Sequence, residues 1–395
     1  MGMAEKEIPE SDRLEPFPHP RAVAGLHGHQ EAERALFEAC MGGRMHHAWL
    51  MTGPKGIGKA TLAYRFARFI LHYGTPEAAR AAGARDLSVP AESTAAHQVA
   101  AGSHPNLLTV RRPWDEKLKK FKTVLPVDQV RRIGHFFGLT AGGAGGWRIV
   151  VIDAADDMNA SSANALLKAL EEPPPQGLFL VLSHQPGRLL PTIRSRCRAL
   201  AMKPLGVAEI VAAMTASETA AVAEAEHEKT KYAGLKLKPG EAETIAQLAD
   251  GSAGRALAIA AGGGLALYKE LAGLLGGLPR LDIAGVHALA EKAARRGADD
   301  AFETLGELLT LWLQRLIRAG AGLDPGPDIA AGEGAAMARL TDPARGGASL
   351  DRWVEVWEKI GQSIARGEAL NTDRKLTVLN VFSMLEAAAS ERAGA

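Results

Sequence analysis

One short stretch, Gly53-Pro54-Lys55-Gly56-Ile57-Gly58-Lys59, restricts the folds open to this chain more than any other. It follows an apolar run, Ala48–Thr52, and opens a helical pattern marked by Leu62, Phe66, Phe69 and Ile70. The spacing is G-x-x-x-x-G-K between a strand and a helix, the setting in which that pattern cradles phosphates. Glycines let the loop wrap with its backbone N–H groups pointing inward. The helix N-terminus adds partial positive charge, and Lys59 supplies a full one toward the outer phosphates.

Such a loop needs a buried parallel sheet behind it, and the sequence offers one. From about Arg21 to Leu205, short apolar runs alternate with helical patterns, which predicts strands joined by helical crossovers. The expected strands are Ala48–Thr52, Asn106–Val110, Arg148–Asp153, Leu178–Ser183 and Arg198–Met202. Ile149–Ile152 and Leu178–Leu182 are apolar throughout, as strands covered on both faces must be. After Lys203-Pro204-Leu205 the strands stop and Ala/Leu/Glu-rich helical patterns take over. At 395 residues the chain exceeds one hydrophobic core. The expected division is residues 1–205, a helical part of short helices over 206–264, and longer helices over 265–395. Phe302, Leu305, Leu309, Trp312, Leu313 and Leu316 share one helical face, as do Trp353, Trp357, Ile360 and Ile364, so both sets read as core. Ala319–Glu333 reads as a loop, and Tyr73–His104 as an insertion or a pair of weak helices.

Composition narrows the function classes. Lys+Arg 46 against Asp+Glu 45 excludes coating of nucleic acid by bulk charge, so any basic surface is local. One local cluster exists: Arg111, Arg112, Lys117, Lys119, Lys120, Lys122, Arg131 and Arg132, opposed only by Asp115, Glu116 and Asp128. The cluster reads as a solvated face, with contact to DNA backbone phosphates as the alternative; Trp114 and Phe121 lie within it and read as a hairpin core, with base stacking as the alternative. Two cysteines, Cys40 and Cys197, make neither a disulfide framework nor a four-cysteine zinc site and read as small buried thiols. His97 and His104 stand without cysteine or clustered carboxylate, so zinc is not expected. The acidic, Pro-rich stretch Met1–Pro20 lacks the apolar core of a signal peptide, and no run is long enough to span a bilayer. The expectation is a cytoplasmic chain without a membrane partner.

The phosphate loop departs from its pattern where cleavage would need it. The position after the lysine, normally a Ser or Thr that coordinates Mg²⁺, is Ala60. Thr61 points about 100° away around the helix, though it could reach an inner phosphate. The strand Arg148–Asp153 ends on Asp153, placed to hold Mg²⁺ through water, but the following residue is Ala154 rather than the Glu that polarises an attacking water. Asp156 and Asp157 lie on the next loop and are the alternative bases, Asp156 before Asp157. Positioning of metal and water is nearly all of phosphoryl-transfer catalysis. The loop is therefore compatible with ATP or ADP, with Mg²⁺ weak or absent, and not with hydrolysis.

His47-Ala48, the Gly53–Lys59 loop, Asn164-Ala165-Leu166-Leu167-Lys168-Ala169-Leu170-Glu171-Glu172-Pro173-Pro174 and Ser195-Arg196-Cys197 together resemble the bacterial clamp-loader subunits of the AAA+ family. The resemblance is strong from about Arg21 to Met202, fair to Gly262 and weak beyond, apart from Leu370–Leu376 at the start of the last helix. It implies an α/β AAA+ fold: a RecA-like P-loop parallel sheet, then a small helical lid domain and an all-α C-terminal collar domain. It implies a nucleotide site at Gly53, Pro54, Lys55, Gly56, Ile57, Gly58, Lys59, Ala60, Thr61 and Asp153. Ser183 would sense the outer phosphate, and Arg196 would project into a neighbour's ATP site as an arginine finger. The second-sensor arginine of the family falls on Gly254, with Arg255 one place late, so that role does not carry over. The expected partners are gamma/tau motor subunits, a delta subunit, the sliding clamp and, through the assembly, primer–template DNA. Such a chain would belong to a DNA polymerase III nucleotidyltransferase holoenzyme without polymerising. Ala60, Ala154 and the missing zinc cysteines favour the subunit type whose own site has decayed; the alternative is the ATP-hydrolysing motor.

Overall fold

The computed structural model describes residues 8–138, 146–228, 234–235, 237–294, 299–370 and 373–390. Met1–Glu7, residues 229–233 and 236, and Asn371-Thr372 of the last-helix motif lie outside them. Among the described residues seven strands form: β1 (Ala48–Thr52), β2 (Leu107–Arg111), β3 (Trp114–Asp115), β4 (Lys120–Phe121), β5 (Arg148–Asp153), β6 (Gly177–Ser183) and β7 (Arg198–Ala201). Five of them make one parallel sheet in the order β2-β5-β6-β1-β7, and β3 and β4 make a separate hairpin. In this sheet β1 lies between β6 and β7, so the loop after β1 opens where the winding reverses, the place an open α/β sheet offers a ligand. The sheet is an open parallel α/β sheet, and among the described residues only helices follow β7.

Alternation explains the fully apolar strands. Trp49 and Met51, Ile149 and Val151, and Leu178, Leu180 and Leu182 face one core with the helix Lys59–Tyr73. Ala48 and Leu50, Val150 and Ile152, and Phe179 and Val181 face a second core with Val127–Gly138 and Ala160–Glu171. Both faces of the sheet are covered, which is why these strand positions are apolar. The helix Ala160–Glu171 starts four residues before the Asn164 of the sequence motif. Its start is fixed by a reciprocal cap in which Asn159 Oδ1 accepts from the Ser162 N–H and Ser162 Oγ accepts from the Asn159 N–H, each 3.0 Å. It ends before Pro173.

Tyr73–His104 resolves into two short helices, Pro76–Ala81 and Thr94–Ala100, each with a side-chain N-cap. Within 206–264 the expectation of short helices fails at the first: Val207–Glu228 is 22 residues long, because its Ala-rich sequence has no breaker. Contacts divide the described residues into two compact units, one within Met1–Lys236 plus Asp250–Arg255, the other within Leu237–Ala249 plus Ala256–Ala395. In the second unit the long helices Asp299–Gly320 and Leu350–Leu370 pack together, and Trp312 and Trp353 are wholly buried between helices. The 319–333 loop is tied down by Arg315, whose guanidinium donates to Pro325 O, Pro327 O and the Tyr268 hydroxyl, which in turn donates to buried Glu333. Among the described residues no single helix is long and apolar enough to cross a membrane.

Candidate functional site: a phosphate cradle and an exposed arginine edge

The carbonyls of the Gly53–Lys59 loop are all engaged by protein. Lys59 Nζ donates to Gly53 O at 2.7 Å and to Pro54 O at 2.6 Å. Ser252 Oγ donates to Lys55 O at 2.8 Å, the Gly254 N–H to Gly56 O at 2.8 Å, and His29 Nε2 lies 2.7 Å from Ile57 O. Among the described residues, no acceptor takes the N–H groups of Gly56, Ile57, Gly58 or Lys59. Carbonyls held from outside and amides left free is the polarity an anion cradle needs. The Asp250–Arg255 segment comes within backbone distance of the loop. A Cβ on Gly56, whose φ is +79°, would sit 2.4 Å from Ser252 Oγ, and one on Gly254 would sit 2.9 Å from Gly56 Cα. Gly254 is thus a packing residue. Arg255 donates its backbone N–H to Ser252 Oγ.

The groups for metal and water are arranged differently. Ala60 has no oxygen to offer, and Thr61 lies half-buried one place along the same helix. Asp153 ends β5 as expected, but burial pushes its carboxyl up to about 7, with the nearby Asp12 carboxylate adding to the rise and Lys59 opposing it. The Lys59 ammonium is pushed down to about 8, by burial against the pull of Asp153 and Asp156. Asp156, the alternative base, spends both oxygens on the end of β6: Oδ1 accepts from the Ser183 hydroxyl at 2.8 Å and the Gln185 N–H at 3.0 Å, and Oδ2 from the His184 N–H at 2.6 Å. Ser183 is fully buried and points its hydroxyl at that carboxylate. Asp157 pairs with Arg112 at 2.9 Å. These residues fit a bound phosphate chain. They do not fit a Mg²⁺ held by a hydroxyl and a carboxylate, nor a water aligned for attack.

His184 was not singled out by the sequence. Burial and the positive charge of Lys59 push its imidazole down to about 4, and its Nδ1 is buried without a hydrogen-bond partner. No local pattern marks it; only the folded position of β6 beside the loop does. The N-terminal arm was missed for the same reason. Glu10 pairs with Arg21 and Arg111, and Asp12 with Arg111, so this part of the basic cluster is neutralised by residues about a hundred positions away. Glu10, Asp12 and His19 converge, and the two carboxylates are already ion-paired with arginine. Cys40 and Cys197 are free thiols pushed up to about 11 by burial.

Arg196 lies elsewhere in the same unit, at the end of the helix Pro191–Arg196 just before β7. Its Nη2 pairs with Glu171 Oε1 at 2.7 Å and its Nη1 donates to Thr192 O at 3.0 Å, with side chains 35% and 48% exposed for Arg196 and Glu171. The helix Ala160–Glu171 and the Ser195-Arg196-Cys197 turn thus meet at one solvent-facing edge.

Residues 28–206 match the protein family described as DNA polymerase III, delta subunit. The DNA polymerase III subunit delta' of Pseudomonas aeruginosa is 42% identical over 166 residues, 42% of this chain and 46% of that protein. The chain resembles a delta-prime subunit. The Escherichia coli K12 delta-prime protein agrees at 32% over 169 residues, 43% of this chain and 46% of its own length. A DNA polymerase III subunit tau from the same strain is 28% identical over 325 residues, 77% of this chain and 46% of that protein. The chain therefore matches less than half the length of each of these relatives. The family-matched segment, residues 28–206, contains the cradle, Glu171 and Arg196.

Proposed function

We propose that this chain is a delta-prime-type subunit of a DNA polymerase III clamp loader, acting in DNA replication. In this reading, residues 1–205 form the nucleotide-binding-like domain, 206–264 the lid and 265–395 the oligomerisation collar. The loop would hold ATP or ADP through its free amides, with Lys59 turning from Gly53 O and Pro54 O to the phosphates, and would leave it uncleaved. Arg196 would leave Glu171 and neutralise charge on the nucleotide of an adjacent gamma/tau motor subunit. With a delta subunit, the assembly would open the sliding clamp and place it on primed DNA.

The observation that supports this best is the contrast within one unit: cleavage groups absent or occupied around the cradle, and a half-exposed arginine on an outward edge. A fork of fixed donors on a protein boundary is suited to a partner's phosphates. The test is an Arg196→Ala chain reassembled with motor and delta subunits. Folding and assembly should persist while ATP turnover at the completed site falls about 10³-fold. Unchanged turnover removes the finger role.

A further inference from the structure

The basic cluster between Arg111 and Arg132 does not survive folding as one patch. Arg111 is consumed by Glu10 and Asp12, Arg112 by Asp157, and Arg131 lies 3.6 Å from Asp128. What remains is Arg132, which donates to Gln129 Oε1 at 2.8 Å, and the β3–β4 hairpin, where Lys117, Lys119, Lys120 and Lys122 are all exposed. Among the described residues, no carboxylate pairs with any of these four lysines. We propose that this hairpin is a contact element for the phosphate backbone of duplex nucleic acid.

The hairpin is built to present charge. Trp114 pairs with Phe121 across the ladder, their rings edge-to-face with centroids 5.1 Å apart. The ladder continues through the Lys122 N–H, which donates to Pro113 O. Asp115 Oδ1 closes the turn by accepting from the N–H groups of Lys117 and Leu118, each at 3.0 Å, and Lys119 takes a φ of +48°. Asp115 is thus used locally, leaving Glu116 as the one acid opposing four cations. Strand alternation puts Lys120 and Lys122 on the side away from Phe121.

The chemistry of the exposed groups selects the partner. Lysine is a compact point charge on a flexible stem, suited to phosphates and poor at reading bases. The two aromatic rings pack edge-to-face on each other across the ladder rather than forming a row on which successive single-stranded bases stack. Protein interfaces are depleted in lysine and enriched in aromatic and arginine anchors, which this surface lacks. Leu118, 65% exposed, is a single apolar residue at the tip, too little to seat a hairpin in a bilayer. A duplex backbone is what four exposed lysines free of carboxylate partners can hold. This inference concerns the chain by itself and stands whether or not Arg196 serves a neighbour.

The experiment uses the full chain and a fluorescent duplex of random sequence, with anisotropy read across potassium chloride concentrations. Four phosphate contacts imply a log–log salt slope of about −3.6, or binding about 50-fold weaker at 150 than at 50 mM salt. A chain with Lys117→Ala, Lys119→Ala, Lys120→Ala and Lys122→Ala should lose at least about ten-fold in affinity at low salt, and its slope should flatten by about 3. The four Lys→Arg replacements should keep both, and all three chains should melt alike, since Trp114 and Phe121 are untouched. Equal affinity and slope in the wild-type and alanine chains would overturn the proposal. So would a hairpin-dependent preference for single strands, or lysine-dependent capture by phosphatidylserine vesicles or polyglutamate with duplex binding unaffected.

Discussion

Lys59 and Arg196 are cations in the same structural unit, each placed by a short turn next to a strand of one sheet. Lys59 is 3% exposed and tied to the carbonyls of its own loop, whereas the Arg196 side chain is 35% exposed and held by one surface carboxylate. A buried cation with fixed backbone partners is part of the fold, and removing it costs stability. A cation on a half-exposed pair costs little to redirect, because surface ion pairs contribute about 0–1 kcal/mol. Similar charge at two sites therefore does different work, and burial decides which.

The sharpest way to break this comparison is to exchange the readouts. Arg196→Ala should remove about 10³-fold of the assembled complex's turnover at one site and change the unfolding free energy by under about 0.5 kcal/mol. Lys59→Ala should do the reverse: about 2 kcal/mol lost in urea unfolding, from hydrogen bonds to a charged donor, with turnover of the complex within about three-fold of wild type. If both substitutions lowered turnover alike, the two cations would share one role.

His184 gives a smaller effect with a defined sign. Its folded value of about 4 lies below the ordinary 6.5, so between those values the unfolded chain binds a proton that the folded chain refuses. Stability must then fall as pH drops from 6.5 to about 4. His184→Gln should remove about 1–2 kcal/mol of that loss, seen as a flatter urea-midpoint profile over this window and no difference above pH 7. The smallest effect belongs to Glu171→Ala. It frees Arg196 at a cost below about 1 kcal/mol, and turnover of the complex should change by less than ten-fold in either direction.

Much of this was legible in the sequence because it is encoded locally. β1 and β5 begin and end where their apolar runs do, and the loop, Asp153, Ser183 and Arg196 stand at the element ends that the motifs require. The early start of Ala160–Glu171 was hidden because Asn159 and Ser162 form a cap without the usual acidic third residue. What could not be seen is pairing over long separations. Glu10 and Asp12 quench Arg111, Ser252 and Gly254 seal the outside of the loop, and Asp156 is diverted to β6. No spacing rule reports such contacts, and each changes what a nearby motif can do. The remaining lysine hairpin was visible only as part of a longer cluster, of which Arg111, Arg112 and Arg131 are paired with carboxylates in the fold.

The central claim is that this cradle can hold a phosphate chain and cannot cut one. Single-turnover hydrolysis of ATP with Mg²⁺ by the isolated chain, set beside Lys59→Ala and Asp156→Ala, measures it directly. The account predicts that all three release phosphate no faster than buffer. Rapid release by the wild-type chain that disappears in both variants would contradict it and return the chain to the motor class.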